Sequence, residues 1–513
     1  MLCMYWANGQ SFSEILKVSA FDREAEDRLG WAVDISGDYA IIGAYADDYG
    51  ATNPNMGSAY IFEKTGIDDW NFVQKIYNSD QDDYDRFGWS VAIDGNLAVV
   101  GAFGEDEDEN DENNLSKAGS AYIFERAPDG TWNEVQKIVP DDREEGDQFG
   151  WTVDVSGSTV IVGAHHEDHD ALGDNFIFRA GSVYVFDRGM DSTWTQSQKV
   201  VAWDRQPDSG GGDETMSVWH YTDIDYGDLF GCSLSLSGNF MIVGAHNGDY
   251  NPDGEGGINQ AGAAYIFTRV EGTWIPDQKV CATIRGGWDR YGYSVAIDSN
   301  IAVVGAKAED HSEFEADYAT NAGSAYIYQR NEAGTWETVQ KIDASDRNSG
   351  DHFGIDVSVD GDYIVVGAES NNFDETGEDE LNNSGAAYIF EKEGDGTWEE
   401  IQKIVGSDRR AEDWFANSIA ISEHTIISGA WQQDFAGIET DSIEDAGAGY
   451  FYSSIVCAAE FHTQDVNLCA GDSLTVGAHV YYEPGTYIDT LSNSDACDSI
   501  ITTTLTYLDL IET

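Results

Sequence analysis

Two sets of aspartates recur along the chain, and each could supply oxygen ligands to a hard cation. The first stands two residues before an aromatic residue or a leucine, as in "DRFGWSV" at 85–91, and comprises Asp27, Asp85, Asp147, Asp228, Asp289, Asp351 and Asp413. The second follows each "GA" and comprises Asp48, Asp106, Asp168, Asp249, Asp310 and Asp434, with Asn372 in the sixth copy. Calcium prefers six to eight such oxygen ligands.

Two interpretations of these aspartates stay open. Asp before a strand often accepts hydrogen bonds from nearby backbone N–H groups and so fixes a turn. Alternatively, both sets bind calcium. In five copies a further carboxylate lies five residues upstream of the first set; these partners are Asp22, Asp80, Asp142, Asp346 and Asp408.

The elements that must position these residues are strands. Each copy holds four runs with alternating or β-branched character, such as "GWSVAI", "LAVVGA", "GSAYIFE" and "WNEVQKI" in the second. Tight turns such as "IDGN" join the first two runs. Four antiparallel strands repeated seven times predict an all-β fold, a seven-bladed β-propeller over residues 12–456. The aromatic residue of each copy should fill the space between blades, and the six repeated tryptophans beginning with Trp70 should pack at the outer rim.

The two ends of the repeat region predict a closed ring. The seventh copy lacks a fourth run, and "EILKVSAFD" near the N-terminus matches "VQKIYNSD", with Lys17 over Lys75 and Asp22 over Asp80. Residues 12–22 should therefore form the outer strand of the last blade. Closure would remove a free sheet edge that could pair with other chains.

The "DRFGWSV … AVVGA" pairing resembles FG-GAP repeats, the units of the integrin α-subunit propeller and of many secreted bacterial proteins. The resemblance implies a secreted, non-catalytic protein of extracellular adhesion or assembly. Integrin-type repeats usually hold calcium in an Asp-rich loop between the first two strands. Here that connection is a short turn such as "DGN", so the integrin calcium site does not carry over.

The chain ends differ from the repeats. Residues 457–513 resemble small β-rich C-terminal modules of secreted Bacteroidetes proteins, carrying "GTYIDTL" and "CDSI". We expect a disulfide between Cys469 and Cys497 there, in keeping with an oxidising extracellular site. Residues 1–11 are either a signal-peptide remnant or an N-terminal extension.

Composition limits the partners. The chain has 95 acidic and 26 basic residues and a formal net charge of −69, which repels nucleic acid and anionic membranes. No apolar run approaches the roughly 20 residues that span a bilayer. We found no catalytic motif and expect no enzyme activity. The partners expected are an extracellular protein, a glycan or further copies of the chain.

Two alternatives to adhesion remain. The first is a lectin-like glycan binder, for which Tyr45, Phe103 and Trp431 follow "GA" in three copies. The second is a structural subunit of a surface layer or filament. The histidine-rich segment "HHEDHD" at 165–170 could bind zinc or copper, or be an ordinary exposed loop.

Overall fold

The computed structural model divides into two units. Ser11–Ser453 forms one compact unit, and the described residues from Ser454 onward belong to the other. The residues described are 11–48, 54–66, 68–110, 112–173, 176–204, 227–249, 251, 257–283, 285–312, 318–435, 442–454, 460–468, 473–476, 479–492 and 498–507.

Within those ranges of the first unit, 28 strands form seven four-stranded sheets, which we number as blades 1 to 7 in chain order. Blade 1 contains β2 (Val33–Ser36), β3 (Tyr39–Ala44), β4 (Ser58–Lys64) and β5 (Trp70–Ile76); blade 2 contains β6 (Ser90–Asp94), β7 (Leu97–Ala102), β8 (Ser120–Arg126) and β9 (Trp132–Ile138); and blade 3 contains β10 (Thr152–Ser156), β11 (Thr159–Ala164), β12 (Ser182–Arg188) and β13 (Trp194–Val200). Blade 4 contains β14 (Ser233–Ser237), β15 (Phe240–Ala245), β16 (Ala263–Val270) and β17 (Thr273–Val280); blade 5 contains β18 (Tyr291–Asp298), β19 (Ile301–Ala306), β20 (Ser324–Arg330) and β21 (Trp336–Ile342); and blade 6 contains β22 (Val357–Asp360), β23 (Tyr363–Ala368), β24 (Ala386–Lys392) and β25 (Trp398–Ile404). Blade 7 contains β26 (Phe415–Ser422), β27 (Thr425–Ala430), β28 (Ala448–Ser454) and the N-terminal strand β1 (Phe12–Val18).

The predicted ring closure is present. The seventh sheet has the order β1-β28-β27-β26, so the N-terminal strand is the outer strand of the last blade. Lys17 on this strand forms an ion pair with Asp408 at 2.6 Å, as its alignment with the other fourth-strand lysines predicts. The all-β, seven-bladed prediction is thereby confirmed.

The core lies between the blades. Phe87 is fully buried in a cluster that joins Ile41 and Ile61 of blade 1 to Tyr122 and Phe124 of blade 2. This confirms the predicted place of the repeated aromatic residue. The next position requires glycine, because a Cβ on Gly88 (φ +88°) would lie 2.2 Å from the Ser58 carbonyl oxygen.

The repeated tryptophans also pack as predicted. Trp132 is 2% exposed, and its backbone is held by the side chain of Gln74 from the preceding blade, with N···O distances of 2.8 and 2.9 Å. The same pairing joins Gln136 to Trp194, Gln198 to Trp274, Gln278 to Trp336, Gln340 to Trp398, and Gln402 to Phe12. Phe12 thus takes the tryptophan's place in the closing strand.

The second unit contains β29 (Glu460–Leu468), β30 (Leu474–Val476), β31 (His479–Tyr481), β32 (Gly485–Ser492) and β33 (Asp498–Tyr507). β33 pairs in parallel with β29 and antiparallel with β32. Cys469 and Cys497, for which we predicted a disulfide, lie outside the described residues, as do residues 1–10. Across the described part of the chain, no helix has the length and apolar character needed to cross a bilayer.

Candidate functional site

The first set of aspartates is buried and bonded to its own turns. Asp85 accepts the backbone N–H of Asp82 at 2.6 Å, and burial raises its pKa to about 7. The same bond to the residue three positions upstream is made by Asp27, Asp147, Asp289, Asp351 and Asp413. Burial raises the pKa of these carboxyls as well, to between about 6 and about 8.

The second set fixes the loop between the second and third strands. Asp310 accepts the backbone N–H of Asn321 at 2.8 Å, and Asn321 has a positive φ of 51°. Equivalent bonds are made by Asp48, Asp106, Asp168, Asp249, Asn372 and Asp434. Asn372 does the same work as the aspartates, so the bond itself needs an oxygen acceptor and not a charge.

The structure brings the two sets together, because their loops bond to each other across adjacent blades. The carbonyl of Asn55, whose N–H bonds to Asp48, accepts the N–H of Arg86, the residue after Asp85. Blade by blade, the same loop-to-loop bond links Lys117 to Gln148, Arg179 to Leu229, Gln260 to Arg290, Asn321 to His352, Asn383 to Trp414 and Asp445 to Arg28. Both sets therefore serve the joints between blades.

Metal binding by these aspartates stays a prediction. Among the described residues, no three His, Cys, Asp or Glu side chains are grouped as metal ligands. The first set is enclosed and has raised pKa values, whereas Asp48, Asp106 and Asp310 are only partly buried. Any calcium bound by these aspartates would therefore have its better ligands in the second set and the loop residues beside it.

A buried ionic network behind the second set was missed in the sequence. Lys137 pairs with Asp80 at 2.5 Å and Glu105 at 3.4 Å, and the Tyr122 hydroxyl donates to either carboxylate. Lys75 and Lys199 pair in the same way, with Asp22 and Asp47 and with Asp142 and Glu167. The signal was available: a Lys in each fourth strand, an Asp five residues after six of these seven lysines, and an acid directly before the second-set residue in four copies.

The upstream carboxylates extend to a sixth copy that the sequence reading left out. Asp204 lies five residues after Lys199 and pairs with Lys279 at 2.6 Å. In every such pair the Asp follows the outer strand of one blade and the Lys belongs to the next. Arg143 and Arg409, which directly follow the Asp of such a pair in the sequence, donate to the backbone carbonyls of Asp106 and Asn372.

The inner strands surround a central channel, and side chains satisfy the N–H groups along their free edges. Asp34 accepts the N–H of Ile93 on the next blade at 2.6 Å, and Asp154 does the same for Leu236. Burial raises the pKa of Asp34 to about 7 and that of Asp154 to about 8. Ser235 occupies the equivalent place in blade 4 and accepts the N–H of Ile297.

One mouth of the channel carries an arc of aromatic rings, which we call the aromatic mouth. Trp31, Trp89 and Trp151 follow the "FG" or "LG" of blades 1 to 3. The ring centroid of Trp89 lies 4.6 Å from that of Trp31 and 4.8 Å from that of Trp151. Tyr45 and Phe103 pack against them from the "GA" loops, and Trp431 lies 5.4 Å from Trp31. The three tryptophans are half-buried and line a cavity of about 590 Å³.

Cations lie over the rings of this mouth. The guanidinium of Arg86 is 5.1 Å from the centroid of Phe103, and that of Arg28 is 5.1 Å from the centroid of Trp431. In blade 5, the Lys307 ammonium lies 3.7 Å from the centroid of Tyr293, which lines the same cavity. Each of these cations is attracted by the electron-rich face of its aromatic ring.

The histidine-rich segment does not act as a unit. His165 stacks on Trp151 at 4.1 Å and on His166 at 4.0 Å, and burial holds its pKa well below the usual value. His169 instead lies 3.5 Å from Glu167. His165 thus belongs to the aromatic mouth, beside Cys232 and His246 of blade 4, whose Sγ and Nδ1 are 3.1 Å apart.

Comparison with known proteins agrees with this architecture. The model of the family described as FG-GAP repeat matches residues 12–62, 70–124, 132–186, 222–267, 274–328, 336–390 and 398–452. The matched segments cover more than half of the chain and fall one to a repeat. No curated protein matches the chain.

Proposed function

Because the chain belongs to the FG-GAP repeat family, we propose that it is a non-catalytic, extracellular binding protein that acts in adhesion or assembly through its aromatic mouth. Propellers of this family often serve adhesion or ligand binding. The observation that carries the proposal is the arc of three half-buried tryptophans on a cavity of about 590 Å³. Ligand sites are usually concave, largely aromatic, and of this size.

The repeats themselves indicate that the arc is not required for folding. Its Trp position is filled by Cys232 in blade 4, Ile355 in blade 6 and Asn417 in blade 7. All seven blades nevertheless make the same loop-to-loop bond. The joints therefore do not require the partly exposed tryptophans of three adjacent blades. Large apolar patches at a protein surface commonly mark binding sites.

The test is binding of the whole chain to immobilised glycans and peptides, compared with Trp89→Ile. Isoleucine is the residue that blade 6 already carries at this place, so the variant should fold. We expect ligands that bind the unmodified protein and are lost in the variant. Trp132→Phe, at the outer rim, is the control and should bind as before. Binding that is equal in Trp89→Ile would exclude the aromatic mouth.

Calcium support is a second part of the proposal and is tested separately below. The same binding experiment also distinguishes the two alternative functions, the glycan-binding lectin and the structural subunit. A lectin would bind glycans through the mouth, whereas a structural subunit would bind only further copies of the chain.

A further inference from the structure

Many cations of this protein form ion pairs between neighbouring blades. With 26 basic and 95 acidic residues, a basic side chain has many carboxylates available. The lysines of the fourth strands pair with carboxylates, and at the rim Arg126, Arg188 and Arg269 pair with acids of the preceding blade. These ion pairs join blades.

Four cations around the aromatic mouth have no carboxylate partner among the described residues, a property that Lys117, Lys392 and Arg410 share elsewhere in the chain. Within the described part of the chain, the side chains of Arg86, Arg290 and Lys307 form neither a hydrogen bond nor an ion pair. Arg28 donates to the Tyr45 hydroxyl and pairs with no carboxylate. In a chain of net charge −69, unpaired cations gathered at one place indicate an anion that comes from outside.

The fold does not require arginine at these places. Arg28, Arg86 and Arg290 occupy the residue after the first-set aspartate, where φ is between 55° and 60°. The same backbone place holds Gln148, Leu229, His352 and Trp414 in the other blades. Only the backbone N–H takes part in the joint, so the joint itself does not determine which side chain stands at this place.

The surroundings suit a carboxylate next to a flat apolar ring. A guanidinium stacked on an aromatic ring keeps edge N–H donors for a carboxylate. The faces of Trp31 and Trp89 can pack against the C–H groups of a pyranose, which are attracted to the negative face of the ring. An acidic sugar offers both features in one residue. Four of the described acids line this cavity: Glu369, which lies 3.4 Å from His352 of its own blade, and the channel residues Asp34, Asp154 and Asp356, whose pKa burial raises to about 7 or 8.

A peptide is less well suited. Peptides commonly add a strand to an open sheet edge. Here the inner-strand N–H groups are already bonded by side chains of the neighbouring blade, such as Asp34, Asp154 and Ser235. A long polyanion is also disfavoured by the net charge, whereas a single carboxylate feels mainly the charges within roughly 8–10 Å at physiological ionic strength.

We propose that the aromatic mouth binds a carboxylate-bearing sugar at the end of a glycan, with the sugar ring on Trp31 and Trp89 and the carboxylate at Arg28 and Arg86. This inference deepens the proposed function and rests on it. It assigns the chemical class of the ligand and the residues that distinguish acidic from neutral sugars.

The test is calorimetry of the whole chain with a glucuronic-acid-terminated tetrasaccharide and with its glucose-terminated counterpart. We expect the acidic probe to bind at least tenfold more tightly. Arg86→Gln copies Gln148 of blade 3 and should weaken the acidic probe about tenfold while leaving the neutral one unchanged. Arg126→Gln, which removes a rim arginine that pairs with Glu63, is the matched control and should change neither.

The other outcomes overturn the inference in distinguishable ways. Equal binding of the two probes, or no effect of Arg86→Gln, would refute recognition of the carboxylate. A peptide with a free C-terminus that binds through Trp89 when neither sugar does would refute the glycan and keep the mouth as a binding site. Ligands that bind irrespective of Trp89→Ile would refute the proposed function itself.

Discussion

The seven repeats make the same contacts at the joints between blades, whereas their residues at the aromatic mouth differ from copy to copy. At the joints every copy contributes the same bond, whether an aspartate or Asn372 supplies the acceptor. At the mouth the copies disagree: the residue after the Gly, or after Ala416 in the last copy, is Trp in three blades and Cys, Tyr, Ile or Asn in the others. The repeated residues close the ring, and the residues that differ between copies form the ligand site that we propose.

The joint between blades 7 and 1 is the exception among the joints. It is closed by β1, which comes from the other end of the repeat region. Leu16 occupies the place of the paired glutamine in this strand, so the side-chain clasp seen at Trp132 cannot form at Trp70. Besides the loop bond that all joints share, this joint therefore depends on the pairing of β1 with β28 and on the ion pair between Lys75 and Asp22.

Deleting residues 1–22 should have the largest effect, because it removes β1, Lys17 and Asp22 together. The exposed edge of β28 would be open to pairing with other chains. We expect loss of a single cooperative melting transition and appearance of aggregates in size-exclusion chromatography. Deletion of residues 1–10, which leaves β1 intact, is the control. A monomeric 1–22 deletion with an unchanged melting temperature would refute closure by β1.

The Lys–Asp–Tyr network should give the next largest effect. Lys137→Met leaves Asp80 and Glu105 buried without their cation, and removing one partner of a buried pair costs about 3–5 kcal/mol. Lys279→Met should cost less, because Gly248 takes the place of the second acid in blade 4 and Asp204 is the one carboxylate that pairs with Lys279 among the described residues. Urea unfolding would measure both. Equal losses would show that the second carboxylate adds nothing.

The fold could be predicted almost completely, and the site only in part. The strands and the alignment of Lys17 follow from local sequence pattern, which can be recognised without knowing the tertiary contacts. A turn-fixing aspartate and a calcium ligand have the same residue type and spacing, so the sequence alone could not show that Asp310 accepts the N–H of Asn321. In the sequence, Trp31, Trp89 and Trp151 are indistinguishable from ordinary strand residues, because the channel that they line forms only when the seven blades close into a ring.

The channel carboxyls predict a pH dependence that the joints share. Asp154 has a folded pKa of about 8, above the roughly 3.9 of an unfolded aspartate. The folded state therefore holds the proton more tightly, so its contribution is complete below about pH 4 and lost as the pH rises toward 8. We expect a higher melting temperature at pH 5 than at pH 8.5.

Asp154→Ser should sharpen that comparison. It copies Ser235, which keeps the hydrogen bond to the next blade without a titrating group. The difference in melting temperature between the two pH values should shrink. Asp129→Ser, in an exposed turn where bonding to Thr131 lowers the aspartate pKa, should not shrink it. An unchanged difference in Asp154→Ser would show that the channel carboxyl does not set the pH response.

Calcium should have the smallest effect, and it tests whether the acidic loops do more than hold the joints. An ion that binds only the folded state adds about 2.7 kcal/mol at a hundredfold excess over its dissociation constant. For a unit of this size that is a rise of only a few degrees. Millimolar calcium should nevertheless raise the melting temperature more than sodium chloride of equal ionic strength. Asp106→Asn and Asp310→Asn copy Asn372, which keeps the loop bond while removing the charge, so neither should disturb the joint. If both variants blunt the calcium response, the second set has two roles: its backbone bond closes the ring and its charge holds the ion. If sodium chloride matches calcium in the unmodified protein, these aspartates serve the joints alone.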